Sequence, residues 1–170
     1  MTTALPEPQP GGRIWRFGDN VDTDAMAPGA YMKAGIEELS RHCLAGPRPG
    51  FAAAVRRGDL LVAGCNFGLG SSREQAPQAL KHLGVAAVIA PSFAGLFYRN
   101  AINLGLPVLV CHDTSPLRDG AMARLDLDSA TLALEDGRRL ACEPIPAFLL
   151  DLLRAGGLMP HLKARLAGAG

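Results

Sequence analysis

The sequence lacks the features that mark membrane, secreted and nucleic-acid-binding proteins. Its apolar runs are short and interrupted by glycine or proline, so it contains no candidate transmembrane helix. Its N-terminus has no charged region followed by an apolar stretch, so we expect no signal peptide. A net charge of +1, with 19% charged residues, provides neither a basic field for nucleic acid nor an acidic tail. We therefore expect a cytoplasmic protein that contacts neither membrane nor nucleic acid.

Cysteine is also scarce, because the chain has only four cysteines and they are widely spaced. None of them forms a Cys-x-x-Cys pair, which argues against an iron–sulfur or zinc site built from this chain alone. Reduced thiols are the expected state. Cys65 lies in a glycine-rich segment, but its nearest cation in that segment is Arg73, so we do not assign it as a nucleophile.

The length of 170 residues predicts one domain. The 13 prolines and 20 glycines predict many turns, whereas 48% hydrophobic content excludes general disorder. Residues 1–11 are rich in proline and are predicted to form a flexible N-terminal tail. Residues 12–170 are then expected to make up the single folded domain.

Apolar segments that alternate with helical segments predict an α/β fold with a parallel sheet. The strand candidates are residues 14–17, 60–63, 85–90 and 107–111. Apolar spacing predicts a helix that ends at Gly84 and another over residues 93–104, with Ser92 as its N-cap. The short links of this strand–helix–strand–helix–strand unit predict right-handed crossovers. Ligands of such sheets bind beyond the carboxyl ends of the strands.

The rest of the chain predicts other elements. Helices are expected over residues 30–44 and 51–57, antiparallel strands over 123–128, 131–134 and 140–142, and C-terminal helices from Pro146 and over 158–166.

The segment from Gly64 to Glu74 is the most informative part of the sequence. It joins an apolar strand to a helical stripe, so it forms a glycine-rich turn between them. Glycine permits positive φ and lets backbone N–H groups approach an anion. Ser71, Ser72 and Arg73 add two hydroxyls and a guanidinium where the helix begins. This chemistry suits a carboxylate or phosphate with an oxyanion held beside it.

A structural role is the alternative for the same segment. Each serine stands three residues before Glu74 or Gln75, as in a capping box. Pro77 instead favours a helix that begins near Glu74 or Gln75, which leaves both serines out of the cap. Nucleotide binding is disfavoured, since Arg73 replaces a fingerprint glycine and the lysine of a P-loop is missing.

A second polar segment runs from Gly18 to Asp24 and contains three aspartates. Their spacing does not match a calcium loop, and the closing glutamate is missing. The alternative is that Asp and Asn side chains make turns by bonding their own backbone.

Three ordered segments together resemble the small subunit of 3-isopropylmalate dehydratase, the detached swivel domain of the aconitase superfamily. They are Gly18–Asp24, Asn66–Pro77 and Ser92–Asn103, and the resemblance covers roughly residues 12–167. It implies a swivelling β/β/α domain, with a short parallel βαβαβ unit, antiparallel strands and C-terminal helices. It also implies a separate large subunit that carries a [4Fe–4S] cluster, in a heterodimer or heterotetramer, with no cofactor in this chain.

The resemblance implies a reaction and site residues. The reaction removes and re-adds water on a small hydroxy diacid, which in leucine biosynthesis interconverts 2- and 3-isopropylmalate. Ser71 matches the serine that takes a proton from the carbon next to a carboxylate. Ser72 and Arg73 match groups that bind the substrate carboxylate, and Asp24 matches an active-site acid.

A serine hydroxyl is a poor base unless its alkoxide is stabilised. Backbone N–H groups of the turn around Gly68 and Gly70, the helix N-terminus and Arg73 are expected to contribute to that. Cluster iron of the partner would polarise the departing hydroxyl as a Lewis acid.

Departures from the family pattern leave the substrate open. The family usually has His at Gln75, and often a small residue or Cys at Leu69. After Tyr31, where relatives contact the side group of the substrate, this chain has Met32 and Lys33. Lys33 suits a distal carboxylate and Met32 an alkyl group, with a solvated lysine as the alternative. Isopropylmalate, a methylated malate and a homoaconitate-type substrate all stay open, as do a non-enzymatic anion-binding module and a self-assembling scaffold.

Overall fold

The computed structural model describes residues 11–168. The strands in this range are β1 (Gly12–Arg16), β2 (Leu60–Val62), β3 (Ala87–Ala90), β4 (Val108–Val110), β5 (Met122–Asp126), β6 (Thr131–Leu134) and β7 (Arg139–Ala141). The α-helices are α1 (Thr23–Met26), α2 (Ile36–Arg41), α3 (Phe51–Ala54), α4 (Gln75–His82), α5 (Gly95–Asn103), α6 (Ala147–Ala155) and α7 (Leu158–Gly168). No helix in the described range is long and apolar enough to cross a membrane. The predicted tail, residues 1–11, lies outside that range except for Gly11, and the domain limits stay a prediction.

One sheet contains all seven strands, in the order β4-β3-β2-β1-β5-β6-β7. Strands β1 to β4 pair in parallel, whereas β5 to β7 pair antiparallel and join the parallel half through β1. The predicted βαβαβ unit, β2-α4-β3-α5-β4, is confirmed, as are the antiparallel strands and the C-terminal helices. The sequence did not predict that β1 lies in parallel beside β2, which brings the carboxyl ends of both strands to one edge.

The parallel half is buried more deeply than the antiparallel half. Every residue of β2 and β3 is buried, as their nearly continuous apolar sequence requires. Helices α4 and α5 contribute Leu80 and Phe97 to the same core. The loops at the carboxyl edge therefore extend from a close-packed base.

Two predicted helices differ from the structure at their starts. Helix α5 begins at Gly95 with Ala94 as N-cap, so the prediction that Ser92 caps a helix from residue 93 is wrong. The side chain of Ser92 is used elsewhere, since its Oγ accepts a hydrogen bond from the backbone N–H of Asn66. The helix predicted over residues 30–44 is shorter, because a 3-10 turn at Gly29–Tyr31 precedes α2 and Gly35 separates them.

Parallel pairing continues past the ends of the strands. Asp22 forms an isolated parallel bridge with Leu69, and Phe67 forms another with Phe93. The loop after β2 is therefore held between the loops that follow β1 and β3. This arrangement places the glycine-rich turn in the middle of the carboxyl edge, where sheets of this kind bind ligands.

Candidate active site

The loop after β1 forms one wall of the glycine-rich turn. The Gly68 N–H donates to the Val21 carbonyl at 2.7 Å, and the Thr23 N–H donates to the Leu69 carbonyl at 2.9 Å. Asp19 Oδ1 accepts a hydrogen bond from the Cys65 N–H at 2.7 Å. Backbone polar groups that leave the sheet are thus paired across the two loops, which fixes their relative position.

The loop after β3 and helix α5 form the other wall. Ser92 Oγ accepts a hydrogen bond from the Asn66 N–H at 2.8 Å. Asn100 Nδ2 donates to the carbonyl of Ser72 at 3.4 Å. Phe97 lies beneath the turn, with its ring centroid 5.1 Å from that of Phe67. The turn that carries the serines is therefore supported from both sides.

Gly68 and Gly70 are required by this packing. Both have positive φ, 85° at Gly68 and 106° at Gly70, which L side chains rarely adopt. A Cβ on Gly68 would lie 2.3 Å from Cγ of Phe97, and a Cβ on Gly70 would lie 3.2 Å from Thr23 Oγ1. The two glycines thus let the turn approach its walls closely, whatever they contribute to substrate binding.

Ser71 and Ser72 are exposed at the top of the turn. Ser71 Oγ lies 3.3 Å from Thr23 Oγ1, and either hydroxyl can be the donor. Among residues 11–168, no acceptor is found for the backbone N–H groups of Ser71, Ser72 and Arg73. Both the hydroxyls and these amides are therefore available to an anion at the start of α4.

Arg73 and Asp24 form an ion pair that joins the two loops. Arg73 Nη1 donates to Asp24 Oδ1 at 2.7 Å and to the carbonyl of Ala27 at 2.9 Å. The Gly29 N–H also donates to Asp24 Oδ1, at 3.2 Å. The hydrogen bond from Arg73, followed by that from Gly29, holds the pKa of Asp24 below its ordinary value. Asp24 is therefore ionised at neutral pH and orients the guanidinium, which retains its Nη2 and Nε groups for a ligand.

Helix α4 begins at Gln75, with Glu74 as N-cap and no side-chain capping bond. The prediction of a start near Glu74 or Gln75 is confirmed. The capping alternative for Ser71 and Ser72 is wrong, because neither hydroxyl is used by the helix backbone. Pro77 lies in the first turn, where its missing N–H removes no helical hydrogen bond.

The three aspartates of the loop after β1 each have a separate role. Asp19 binds the Cys65 N–H, Asp22 caps α1 through the Ala25 N–H at 2.8 Å, and Asp24 binds Arg73. Within the described part of the chain, no group of three or more His, Cys, Asp or Glu is arranged to hold a metal ion. The turn-forming interpretation therefore applies to Asp22, whereas Asp19 binds a backbone group 46 positions away in the glycine-rich turn.

Two of the four thiols of this chain are poorly suited to ligate an iron–sulfur cluster. All four are free cysteines, with Cys65 exposed in the turn and the others buried. Burial raises the pKa of Cys43 and of Cys142 to about 12. Cluster ligation needs thiolates, so these two side chains are poor ligands at neutral pH.

Met32 and Lys33 lie in a turn after the 3-10 segment, with Met32 half-buried and Lys33 exposed. No hydrogen bond or ion pair joins either side chain to Ser71 or Arg73 in the described residues. Gly29, at the start of the 3-10 segment before them, lies close to Arg73, since an added Cβ there would be 4.0 Å from Arg73 Nη2. Their substrate-binding role stays a prediction.

Sequence reasoning missed two features of the site. One is Thr23, whose hydroxyl reaches Ser71, and the other is the Asp24–Arg73 ion pair. Both depend on β1 lying in parallel beside β2, which brings two motifs about fifty positions apart to one edge. The sequence did contain one signal for this pairing, because each of the two apolar strand segments is followed directly by a polar motif.

Comparisons with known proteins agree with this fold. A family model for the aconitase C-terminal domain matches residues 45–113. The small subunit of methanogen homoaconitase from Methanothermobacter thermautotrophicus is 51% identical over 152 residues, 88% of each chain. The small subunit of 3-isopropylmalate dehydratase from Halothermothrix orenii is 45% identical over 161 residues, 93% of this chain and 98% of its own.

A solved structure agrees as well. The crystal structure of 3-isopropylmalate dehydratase from Methanocaldococcus jannaschii superposes with a TM-score of 0.88 at 44% identity, over 94% of this chain and 98% of that one. The fold thus defines an aconitase-type swivel domain. The chain belongs to the family of dehydratase small subunits that includes those of 3-isopropylmalate dehydratase and homoaconitase. The resemblance and the fold class inferred from the sequence are confirmed.

Proposed function

We propose that this chain is the small subunit of a hydro-lyase that isomerises 2- and 3-isopropylmalate by dehydration and rehydration, in leucine biosynthesis in the cytoplasm. The observation that carries the proposal is the Ser71-Ser72-Arg73 group, with exposed Ser71 beside a buried hydroxyl and half-buried Arg73 oriented by Asp24. Relatives named 3-isopropylmalate dehydratase small subunit, about 45% identical over most of the chain, support it.

The geometry suits proton abstraction next to a carboxylate. Arg73 presents a planar guanidinium that binds a carboxylate through two parallel hydrogen bonds. With the carboxylate bound there and to Ser72, Ser71 Oγ faces the adjacent carbon and takes its proton as the hydroxide leaves from the neighbouring carbon. Rehydration reverses the step on the other carbon. The amide groups of the turn and the N-terminus of α4 favour the negative charge that Ser71 carries as a base.

The site is open, and this supports a partner. Ser71 and Ser72 are exposed, whereas water must be excluded for these electrostatic effects to act fully. We propose that a large subunit covers the carboxyl edge and completes the site. The [4Fe–4S] cluster implied by the resemblance would belong to that subunit, where its iron supplies a Lewis acid for the hydroxyl group.

The substrate has a second candidate, a homoaconitate-type compound with a third, distal carboxylate. A homoaconitase small subunit is 51% identical to this chain, and a relative from Methanocaldococcus jannaschii named isopropylmalate/citramalate isomerase small subunit is 45% identical. The exposed amine of Lys33 favours a distal carboxylate, whereas the half-buried thioether of Met32 favours an alkyl group. A substrate panel separates the two.

The test combines the purified chain with a cluster-reconstituted large subunit and follows the ultraviolet absorbance of the unsaturated diacid. Turnover is expected with isopropylmalate, and neither subunit should be active alone. Citramalate, methylated malates and homocitrate form the rest of the panel. Turnover of homocitrate but not isopropylmalate would replace the first substrate with the second.

Lack of turnover with every diacid would reject the dehydratase proposal. The chain alone, melted with phosphate or a nucleotide, tests the anion-binding module, which requires a ligand-dependent rise in Tm. Sedimentation without the large subunit tests the scaffold alternative, which requires large assemblies of this chain by itself.

A further inference from the structure

We infer that Thr23 is a positioning residue for Ser71, whose hydroxyl it holds toward the substrate by donating a hydrogen bond to Oγ. This inference rests on the proposed function. Thr23 is 2% exposed, whereas Ser71 is exposed, so a buried hydroxyl supports an accessible one. Ser71 Oγ is the only hydrogen-bond partner of Thr23 Oγ1 among residues 11–168.

The backbone around Thr23 fixes its hydroxyl. Its N–H donates to Leu69 at 2.9 Å, and its carbonyl accepts from the Ala27 N–H at 2.8 Å. Thr23 is also the first residue of α1, which Asp22 caps. A β-branched side chain has few χ1 rotamers, so this backbone leaves the hydroxyl little freedom.

Gly70 shows that the site is built around this hydroxyl. A Cβ at Gly70 would lie 3.2 Å from Thr23 Oγ1, which is closer than most side-chain contacts. Glycine therefore keeps the space between Thr23 and the turn open, so that Ser71 reaches the buried oxygen. A residue that only filled space at position 23 would not require a hydroxyl group.

The role of Thr23 depends on its hydroxyl being the donor in the hydrogen bond to Ser71 Oγ. A hydroxyl has one donor hydrogen, and Thr23 can use it only on Ser71 within the described structure. When Ser71 loses its own proton, the Thr23 hydroxyl remains as a donor to the alkoxide and lowers its energy. At 3.3 Å the contact is long for an O–H···O bond, as is common before substrate and partner close a site. The charged groups around it are Asp22, the N-cap of α1, Asp24 in α1 and Arg73 in the turn.

Thr23→Val and Thr23→Ser form the matched pair that tests this role. Valine keeps the β-branched shape and removes the hydroxyl, whereas serine keeps the hydroxyl and removes the methyl group. In the assembled enzyme, Thr23→Val should lower kcat about 10- to 100-fold, below the loss typical of a short oxyanion-hole bond. KM should change little, and the acidic limb of the kcat profile should move to higher pH. Thr23→Ser should keep kcat and the pH profile close to the wild-type values.

Equal losses in the two variants would assign Thr23 to packing and overturn the inference, as would an unchanged profile in Thr23→Val. If the wild-type protein turns over none of the substrates, the proposed function fails. Crystal structures of the wild-type, Thr23→Ser and Thr23→Val chains without a partner then test whether Thr23 positions Ser71. The inference then requires Ser71 Oγ in one position facing residue 23 in the wild type and Thr23→Ser, and in several rotamers in Thr23→Val. One shared rotamer in all three proteins would contradict it.

Discussion

The two halves of the sheet use their polar residues differently. In the parallel half, polar groups pair over long sequence separations, as in the Asp24–Arg73 ion pair, whose members are 49 positions apart. In the antiparallel half several pair locally, as in Arg138 Nε, which donates to Asp136 Oδ2 at 2.6 Å from two positions away, although Asp128 also binds Arg154 of α6. Both side chains of the local pair are about half exposed, and such pairs contribute little to stability.

This difference explains where the candidate chemistry lies. Parallel strands bring their carboxyl ends to one edge, so loops from distant parts of the chain meet there and orient each other's side chains. Antiparallel neighbours are joined by short turns, so adjacent residues satisfy one another. A polar residue at the parallel edge should therefore affect activity, whereas its counterpart in the antiparallel half should not.

Ser71→Ala should produce the largest effect. Removing the proposed base should lower kcat about 10²- to 10⁴-fold, the usual contribution of a general base, while assembly with the large subunit is retained. Ser129→Ala is the matched control, since Ser129 is also exposed but lies in the turn between β5 and β6. Steady-state kinetics and sedimentation measure both quantities. Turnover retained by Ser71→Ala would remove Ser71 from the mechanism.

Gly68→Ala should cause the next largest effect, on stability. The new Cβ would meet the ring of Phe97 at 2.3 Å, and Phe97 is packed in the core and only 2% exposed. Left-handed strain and overpacking together predict a loss of about 2–5 kcal/mol in the free energy of unfolding. Thermal or urea unfolding provides the measurement.

Gly137→Ala separates strain from packing. Gly137 has a φ of 89°, close to that of Gly68, but a Cβ there meets nothing within 4 Å. The free energy of unfolding of Gly137→Ala should therefore fall only by the left-handed strain, about 1–2 kcal/mol. Equal losses at the two positions would show that Phe97 does not restrict the turn.

The sequence predicted the parallel and antiparallel halves of the sheet, but not the long-range contacts that join the loops at the parallel edge. Apolar runs identified the parallel strands, and alternating ones the antiparallel strands, because burial on two faces or one produces those patterns. The glycine turn and its serines were also identified in advance. The role of Ser92 was not, because its hydroxyl binds the backbone of Asn66, 26 positions away, rather than the helix that follows. Long-range contacts of this kind leave no local pattern.

Arg73→Lys should lower kcat/KM about tenfold to a hundredfold, since a hydrogen bond to a charged group contributes roughly 1.5–3 kcal/mol. Lysine keeps the charge but cannot bind Asp24 and a substrate carboxylate in two fixed directions at once. Arg138→Lys is the control, because its partner Asp136 is local and exposed. Kinetics with both variants measure the difference. Equal activity in the two would mean that charge alone is required at residue 73.

Lys33→Ala should have the smallest effect, and one that depends on the substrate. Lys33 is exposed, and an exposed ion pair contributes about 0.2–1 kcal/mol, so kcat/KM should fall at most about fivefold. The loss should occur with homocitrate, whose distal carboxylate the amine would meet, and not with isopropylmalate. Lys163→Ala on α7 controls for a general change in charge. If both substrates are affected equally, Lys33 acts through the overall field and not on a distal carboxylate, and Met32 becomes the residue to vary next.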